Sequence, residues 1–299
     1  MRVALALGSG GARGYAHLGA VEELRARGHQ VATVAGASMG ALVGGLIAAD
    51  QDQAFAEWAS SLTQRDVLRL VDPVLSRGGA VNLARVMAEV ESLAGDVTIN
   101  ELPIPFTAVA TDLESRREVW FQSGSLVSAI RASIAIPGLF VPAVVNGRIL
   151  VDGGLLNPLP IDPTAAIPVD FTLAVSLQGP RSPRDTGPPQ RQVATSDSRQ
   201  SWRKLLRRAV HSDAGPDPDT DTDTDRSAAA PDPKIAEVVT MSFEAMQALI
   251  TRYRLAAHPP DVLVSIPLSS ARSIDFHRAE ELIDLGRRLT AKALDDAGF

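Results

Sequence analysis

The chain has 299 residues, 45% of them hydrophobic, and a formal net charge of −6. That length and apolar content suffice for one substantial core or two small ones, and the acidic balance argues against general nucleic-acid binding. There is no cysteine, so disulfides and thiolate metal sites are excluded while the redox compartment stays open.

The first residues are one arginine and a short apolar run ahead of a glycine-rich turn. They do not have the make-up of a secretory leader, and the cytoplasm is the expected compartment. Val3 to Leu7 reads as a strand running into Gly8-Ser9-Gly10-Gly11-Ala12-Arg13-Gly14, with an amphipathic helix from Tyr15 to about Arg27. A glycine-rich turn at a helix start gathers several backbone N–H groups into one concavity with the helix dipole behind them, which suits an anion. A dinucleotide fingerprint would need glycine where Arg13 stands and an acidic residue at the end of the next strand, which instead ends Val34-Ala35-Gly36. A phosphate-cradling P-loop would need Gly-Lys-Ser/Thr where the chain has Arg-Gly-Tyr.

Val31 to Ala35 is the second expected strand and Ala41 to Ala49 a helix. Between them lies Gly36-Ala37-Ser38-Met39-Gly40, a G-x-S-x-G pattern. A serine on a sharp strand-to-helix turn has its hydroxyl pushed out of the backbone, and the flanking glycines avoid collision with strand and helix. Gln30 to Ala49 carries no charge and superficially suits a membrane span, but its four glycines and six Val, Leu or Ile residues fit a buried strand, turn and core helix better.

Asp50 to Leu70 continues helical, with Phe55, Trp58, Ala59 and Leu62 on one face. Gly78-Gly79 breaks the chain before a helix from Asn82 to Leu93. These helices are expected to cap the site. Ile104 to Ala110 and Glu118 to Gln122 read as strands, and Leu126 to Ile134 as a helix entering Pro137-Gly138. Val144 to Val151 reads as two strand pieces around a turn at Asn146-Gly147. They deliver Asp152-Gly153-Gly154, where two glycines free the backbone to turn away from an aspartate at a strand end. An ordinary Asx turn would explain that aspartate as well.

Val169 to Leu177 is a buried strand. Gly179 to Pro233 differs: it holds eight of the chain's 20 prolines and the run Asp217-Pro-Asp-Thr-Asp-Thr-Asp-Thr-Asp225, and is expected to be a disordered insertion. Within it, Trp202, Leu205, Leu206, Ala209 and Val210 share one helical face and Arg203, Lys204, Arg207 and Arg208 the other. Segment 202–210 would suit peripheral contact with an anionic membrane, or a short helix packed on the domain or left undocked. Ile235 to Ala257 is a long helix, Val262 to Ile266 a strand and Arg278 to Ala297 a final helix. The alternation predicts an α/β fold with a mostly parallel central sheet and helices on both faces. The expected organisation is a core over 1–178, the insertion over 179–234, and completion of the same domain over 235–299. No His/Asp/Glu cluster has metal-ligand spacing, so no metal is expected.

Five histidines, His17, His29, His211, His258 and His277, offer a Ser/acid/His alternative, but an α/β-hydrolase places several strands before its strand-turn-helix elbow and only one precedes the elbow here.

The glycine loop, G-x-S-x-G and Asp-Gly-Gly, in that order at strand ends, together with Ala129-Ile-Arg-Ala-Ser-Ile-Ala-Ile-Pro-Gly138, resemble the patatin-like phospholipases, in particular small bacterial members. The likeness covers about residues 2 to 178 and resumes around 235 to 297. It implies a patatin-like α/β/α sandwich and a serine-dependent lipid acyl hydrolase or esterase with no cofactor. In that family's pattern Ser38 is the nucleophile and Asp152 its base. The backbone N–H groups of Gly10 and Gly11 form the oxyanion hole within the loop Ser9, Gly10, Gly11, Ala12, Arg13, Gly14. Gly36 and Gly40 shape the elbow, Gly153 and Gly154 the turn after the base, and Arg13 steadies the loop. The implied partner is a lipid or ester substrate. Two departures stand out: Ser9 occupies the place of the loop's usual first glycine, and Thr111-Asp112-Leu113 continues Glu-Ser-Arg where Thr-Gly is common. A carboxylate with an ordinary pKa near 3.9 is a weak base at neutral pH, so Asp152 is expected to be desolvated with a raised pKa. A regulatory or acyl-ligand-binding protein, or an acyltransferase, could use the same pocket.

Overall fold

Strand β1 (Arg2–Leu7) sends Val3, Leu5 and Leu7 into the main core, while Ala6 joins a smaller cluster on the opposite face. A strand covered on both faces needs a continuous apolar run, and its small residues mark the side of closer approach. The computed structural model describes residues 1–70, 72–73, 81–82, 84–180 and 235–299. The predicted segment 202–210, the rest of the expected insertion from 181 to 234, and the Gly78-Gly79 break lie outside these residues.

After β1 come a 3-10 turn (Gly11–Tyr15), α1 (Ala16–Ala26), β2 (Gln30–Ala37), α2 (Met39–Ala48), α3 (Asp52–Ser61) and α4 (Gln64–Leu70). A two-residue ribbon, β3 (Asp72–Pro73) with β4 (Val81–Asn82), precedes α5 (Ala84–Ala94). Then follow β5 (Phe106–Asp112), β6 (Arg117–Phe121), α6 (Leu126–Ser133), β7 (Ala143–Val145), β8 (Arg148–Asp152) and β9 (Phe171–Gly179). The described chain resumes with α7 (Ile235–Ala257), β10 (Val262–Pro267) and α8 (Ala279–Ala297).

The sheet runs β10-β9-β1-β2-β5-β8-β7, with β6 also paired to β5. The five strands from β10 to β5 are parallel, as the alternation of elements predicts; β6, β7 and β8 join antiparallel. The main core packs α1, α2, α6 and α8 on one face. On the other, Leu255 of α7 packs against Ala6, Leu159 and Ala174. This is an α/β/α sandwich with one thick and one thin helical layer. Helices α1 and α8 touch backbone to backbone: a Cβ on Gly19 would lie 1.9 Å from Ile283 O, and one on Gly286 2.1 Å from Ala16 O.

Two helices begin differently from expectation. Residues Gly11–Tyr15 form a tight 3-10 turn, so α1 starts only at Ala16. The long helix read over Asp50 to Leu70 is two helices, because Thr63 and Asp66 cap each other: Thr63 N–H donates to Asp66 Oδ2 (3.1 Å) and Asp66 N–H to Thr63 Oγ1 (3.3 Å). A reciprocal cap satisfies N–H groups at a helix start, so it restarts the chain as α4. The hairpin β7–β8 turns through Asn146 (φ 51°) and Gly147 (φ 77°), the paired positive φ values that Asn-Gly supplies in a two-residue loop.

Candidate active site

Ser38 follows the last residue of β2 and precedes α2, with φ 55° and ψ −125°. A non-glycine residue held there persists only where its surroundings over-determine it. Crowding supplies part of that constraint. A Cβ on Gly36 would sit 2.1 Å from Gly40 O, and one on Gly40 2.1 Å from Leu7 O, so the chain can fold this tightly only with glycine at both places. The twenty uncharged residues from Gln30 to Ala49 are therefore β2, the elbow and a buried helix; among the described residues no helix is long and apolar enough to cross a membrane.

The register explains how Asp152 reaches Ser38. On one edge of β5, β2 pairs as far as Ala37 opposite Val109, and β8 takes over with Asp152 opposite Ala110. The opposite edge is occupied by β6. Since β2 is parallel and β8 antiparallel to β5, their C-terminal ends meet head to head at Val109 and Ala110. The turn after Asp152 is pressed onto that point, as a Cβ on Gly153 would lie 2.0 Å from Val109 O.

Asp152 is fully buried. Its Oδ1 accepts Gly154 N–H at 2.7 Å, which is the Asx turn that the sequence also allowed. Its Oδ2 has no hydrogen-bond partner among the described residues. Burial pushes the carboxyl up to about 7, against smaller opposing effects of the Ser38 hydroxyl and Gly154 N–H. The Ser38 hydroxyl is among the groups that draw the Asp152 pKa down, which puts it beside the carboxyl.

The glycine loop is held from outside. Gly8 N–H donates to Val175 O, Ser9 N–H to Pro158 O (2.8 Å) and Ala12 N–H to Ser273 O (3.0 Å). Between them, the Gly10 and Gly11 N–H groups have no backbone partner among the described residues. A Cβ on Gly10 would lie 2.5 Å from Leu177 Cβ, and Gly11 has φ +59° with Ser273 O in the way of any side chain. Arg13, buried, donates to Ala271 O (3.0 Å), Glu244 Oε1 (3.1 Å) and Ser273 Oγ (3.4 Å). Ser9, the departure from glycine, accepts Gln247 Nε2 at 2.9 Å, and Gln247 in turn accepts from Gln178. Gly154 packs against both, so loop and base turn share that polar knot.

Ser38 opens into a cavity of about 110 Å³ that is almost wholly apolar, lined among others by Tyr15, Phe55, Trp58, Ile134, Phe140 and Phe276. Leu62, Val67 and Val86 from the segment between β2 and β5 also line it. Three of the five histidines are engaged elsewhere. His17 is buried, held neutral by desolvation with a pKa lowered to about 4, and bonded through Nε2 to Gly8 O at 2.9 Å. His29 packs edge-on against Phe171 at the far end of β2, and His258 Nε2 lies 3.2 Å from Asp162. Among the described residues His277 makes no hydrogen bond to Ser38 or Asp152, and His211 lies outside them.

The structure also draws in residues that local patterns did not single out. Ser133, at the end of α6, accepts Ser38 N–H at 2.9 Å and donates to Val109 O at 2.5 Å. Glu244 and Gln247 sit one turn apart on α7 and face the loop from more than two hundred residues away. No spacing in the chain signals them; only Ser133 lay inside a quoted motif.

Residues 5–165 match the family model described as patatin-like phospholipase. An uncharacterized NTE family protein of Mycobacterium tuberculosis is 43% identical across 98% of this chain and 91% of its own length. Human patatin-like phospholipase domain-containing protein 6 is 33% identical across 58% of this chain and 13% of its own length. Among solved structures, VipD from Legionella pneumophila aligns at a TM-score of 0.46 and 14% identity, over 99% of this chain and 67% of that one. With a family match over more than half its length and a relative of this similarity along nearly all of it, the chain belongs to the patatin-like phospholipase family.

Proposed function

We propose that the protein hydrolyses carboxylic esters of lipids, phospholipid or lysophospholipid, through a Ser38/Asp152 dyad. The observation that carries this reading is the meeting of a strained, buried Ser38 with a fully buried carboxyl whose Oδ2 has no hydrogen-bond partner among the described residues, at the end of an apolar cavity. Asp152 Oδ2 takes the hydroxyl proton as Ser38 Oγ bonds to the ester carbonyl carbon. The tetrahedral oxyanion is received by the Gly10 and Gly11 N–H groups. The leaving alkoxide departs with the proton from Asp152, and water repeats the cycle to free the fatty acid and regenerate Ser38. A pKa near 7 suits Asp152 to this shuttle at neutral pH. No cofactor enters these steps.

The test is fatty-acid release from phospholipids, lysophospholipids and short p-nitrophenyl esters. Ser38→Ala and Asp152→Asn are each expected to lower turnover by about 10⁴-fold or more. A wild-type protein that turns over none of these esters, and whose Ser38 is not labelled by a fluorophosphonate, would instead be an acyl-ligand-binding protein, which the apolar cavity would also serve.

A further inference from the structure

The strain at Ser38 needs more than two glycines to hold it, because crowding forbids side chains without fixing where the serine itself stops. Beyond Ala37 the ladder between β2 and β5 ends. The Ser38 N–H and the Val109 carbonyl then face the gap where β2 turns away and β8 has not yet arrived. The Ser133 hydroxyl fills that gap. Its single proton goes to Val109 O (2.5 Å) and its oxygen accepts Ser38 N–H (2.9 Å), with the residue fully buried. Two residues later, Ala135 O accepts Asp152 N–H at 2.9 Å. Gly153 is packed on the same Val109 carbonyl. One three-residue stretch at the end of α6 therefore grips the backbone of both Ser38 and Asp152.

We propose that Ser133 is a positioning residue that sets the approach of Ser38 to Asp152, acting as a side-chain spacer where the β2–β5 ladder stops. The proposal rests on Ser38 being the nucleophile and Asp152 its base. Ser133 touches neither substrate nor proton in transit. Its effect is on geometry, and misplacement of reacting groups by about 1 Å costs on the order of 10²-fold in rate.

Ser133→Ala removes both bonds, and Ser133→Thr keeps the hydroxyl on the same carbon. The readouts are kcat and KM on a p-nitrophenyl ester, the rate of Ser38 labelling by a fluorophosphonate, the pH profile of each, and the melting temperature. Ser133→Ala is expected to lower kcat and the labelling rate by about 10²-fold with KM little changed. Its acid limb should move to higher pH, since the Ser38 hydroxyl is one of the groups drawing the Asp152 pKa down. Ser133→Thr should restore most of both. If the threonine methyl prevents folding, Ser133→Cys, near-isosteric with a weak donor and acceptor, should fall between wild type and alanine. Wild-type kcat in Ser133→Ala, or a loss matching only its unfolded fraction with an unmoved acid limb, would overturn the proposal. Activity and labelling that survive Ser38→Ala would instead overturn the dyad, whatever Ser133 variants do.

Discussion

The elbow at 36–40 and the glycine loop at 8–14 stand side by side at the same end of the sheet, but they are built in opposite ways. The elbow is shaped by backbone against backbone, with Gly36 on Gly40 and Gly40 on Leu7. The loop, besides its backbone bonds, is held by side-chain contacts 231 to 260 positions away in the chain, Arg13 reaching Glu244, the Ala271 carbonyl and Ser273 while Gln247 reaches Ser9. One half of the site is thus shaped by close backbone contact within 36–40 and onto Leu7, with the Ser133 hydroxyl completing it. The other is a cradle that exists only when the end of the chain has docked on its beginning.

Breaking the elbow should have the largest effect. In Gly40→Ala the new methyl would meet Leu7 O at 2.1 Å, and that atom belongs to β1 at the centre of the sheet. It cannot rotate aside as a side chain would, so α2 must lift away from β1. The expected loss is about 3 kcal/mol or more, the upper end of overpacking costs, measured by urea unfolding. A variant with wild-type stability would show that the elbow has slack its backbone distances do not suggest.

The same contrast decides what the sequence discloses. Ser38, Gly36, Gly40 and the Asp152-Gly153-Gly154 turn are legible because steric necessity between near neighbours puts particular residues at fixed spacing. The parallel half of the sheet is legible because strands buried on both faces must be apolar throughout. The antiparallel joining of β6, β7 and β8 is not, since short strands of similar composition carry no mark of direction. The break at Thr63 is hard to see despite its capping signal, because apolar residues stand on both sides of it, Phe55, Trp58 and Leu62 before and Val67, Leu68 and Leu70 after. Glu244 and Gln247 look like ordinary polar residues of a long helix, and only the tertiary fold gives them the loop as a partner.

The base turn groups with the elbow, and its burial can be read from stability against pH. Asp152 is raised from 3.8 to about 7 in the folded state. Between those values the folded protein holds a proton that the unfolded chain has released. The resulting stability is fully present below about pH 4 and lost as pH rises through about 7. A displacement of that size corresponds to at most about 4 kcal/mol. Asp152→Asn, which cannot ionise, should therefore gain stability over wild type at pH 8 and little at pH 4, in paired urea titrations. Activity should run the other way, with an acid limb near 7, because the form that destabilises the fold is the one able to take the Ser38 proton. A wild-type limb near pH 4 would mean that Asp152 is wetter than its full burial implies.

Loosening the loop should be milder for the fold and selective for the chemistry. Arg13→Ala leaves Glu244, partly exposed on α7, with Ser273 as its remaining hydrogen-bond partner among the described residues, and leaves Gln247 to hold the loop through Ser9. The expected stability loss is about 1.5–3 kcal/mol, the range for hydrogen bonds to charged groups. Turnover should fall further than that suggests, towards the roughly 10²-fold attached to one misplaced oxyanion donor. The acid limb should stay where it is in wild type, because no contact of Arg13 touches Asp152 or its turn. Arg13→Lys should not restore turnover, since one ammonium cannot serve acceptors spread around a planar fork. An acid limb that moved in Arg13→Ala would show that cradle and elbow are mechanically one, coupled through the knot of Ser9, Gln247 and Gly154.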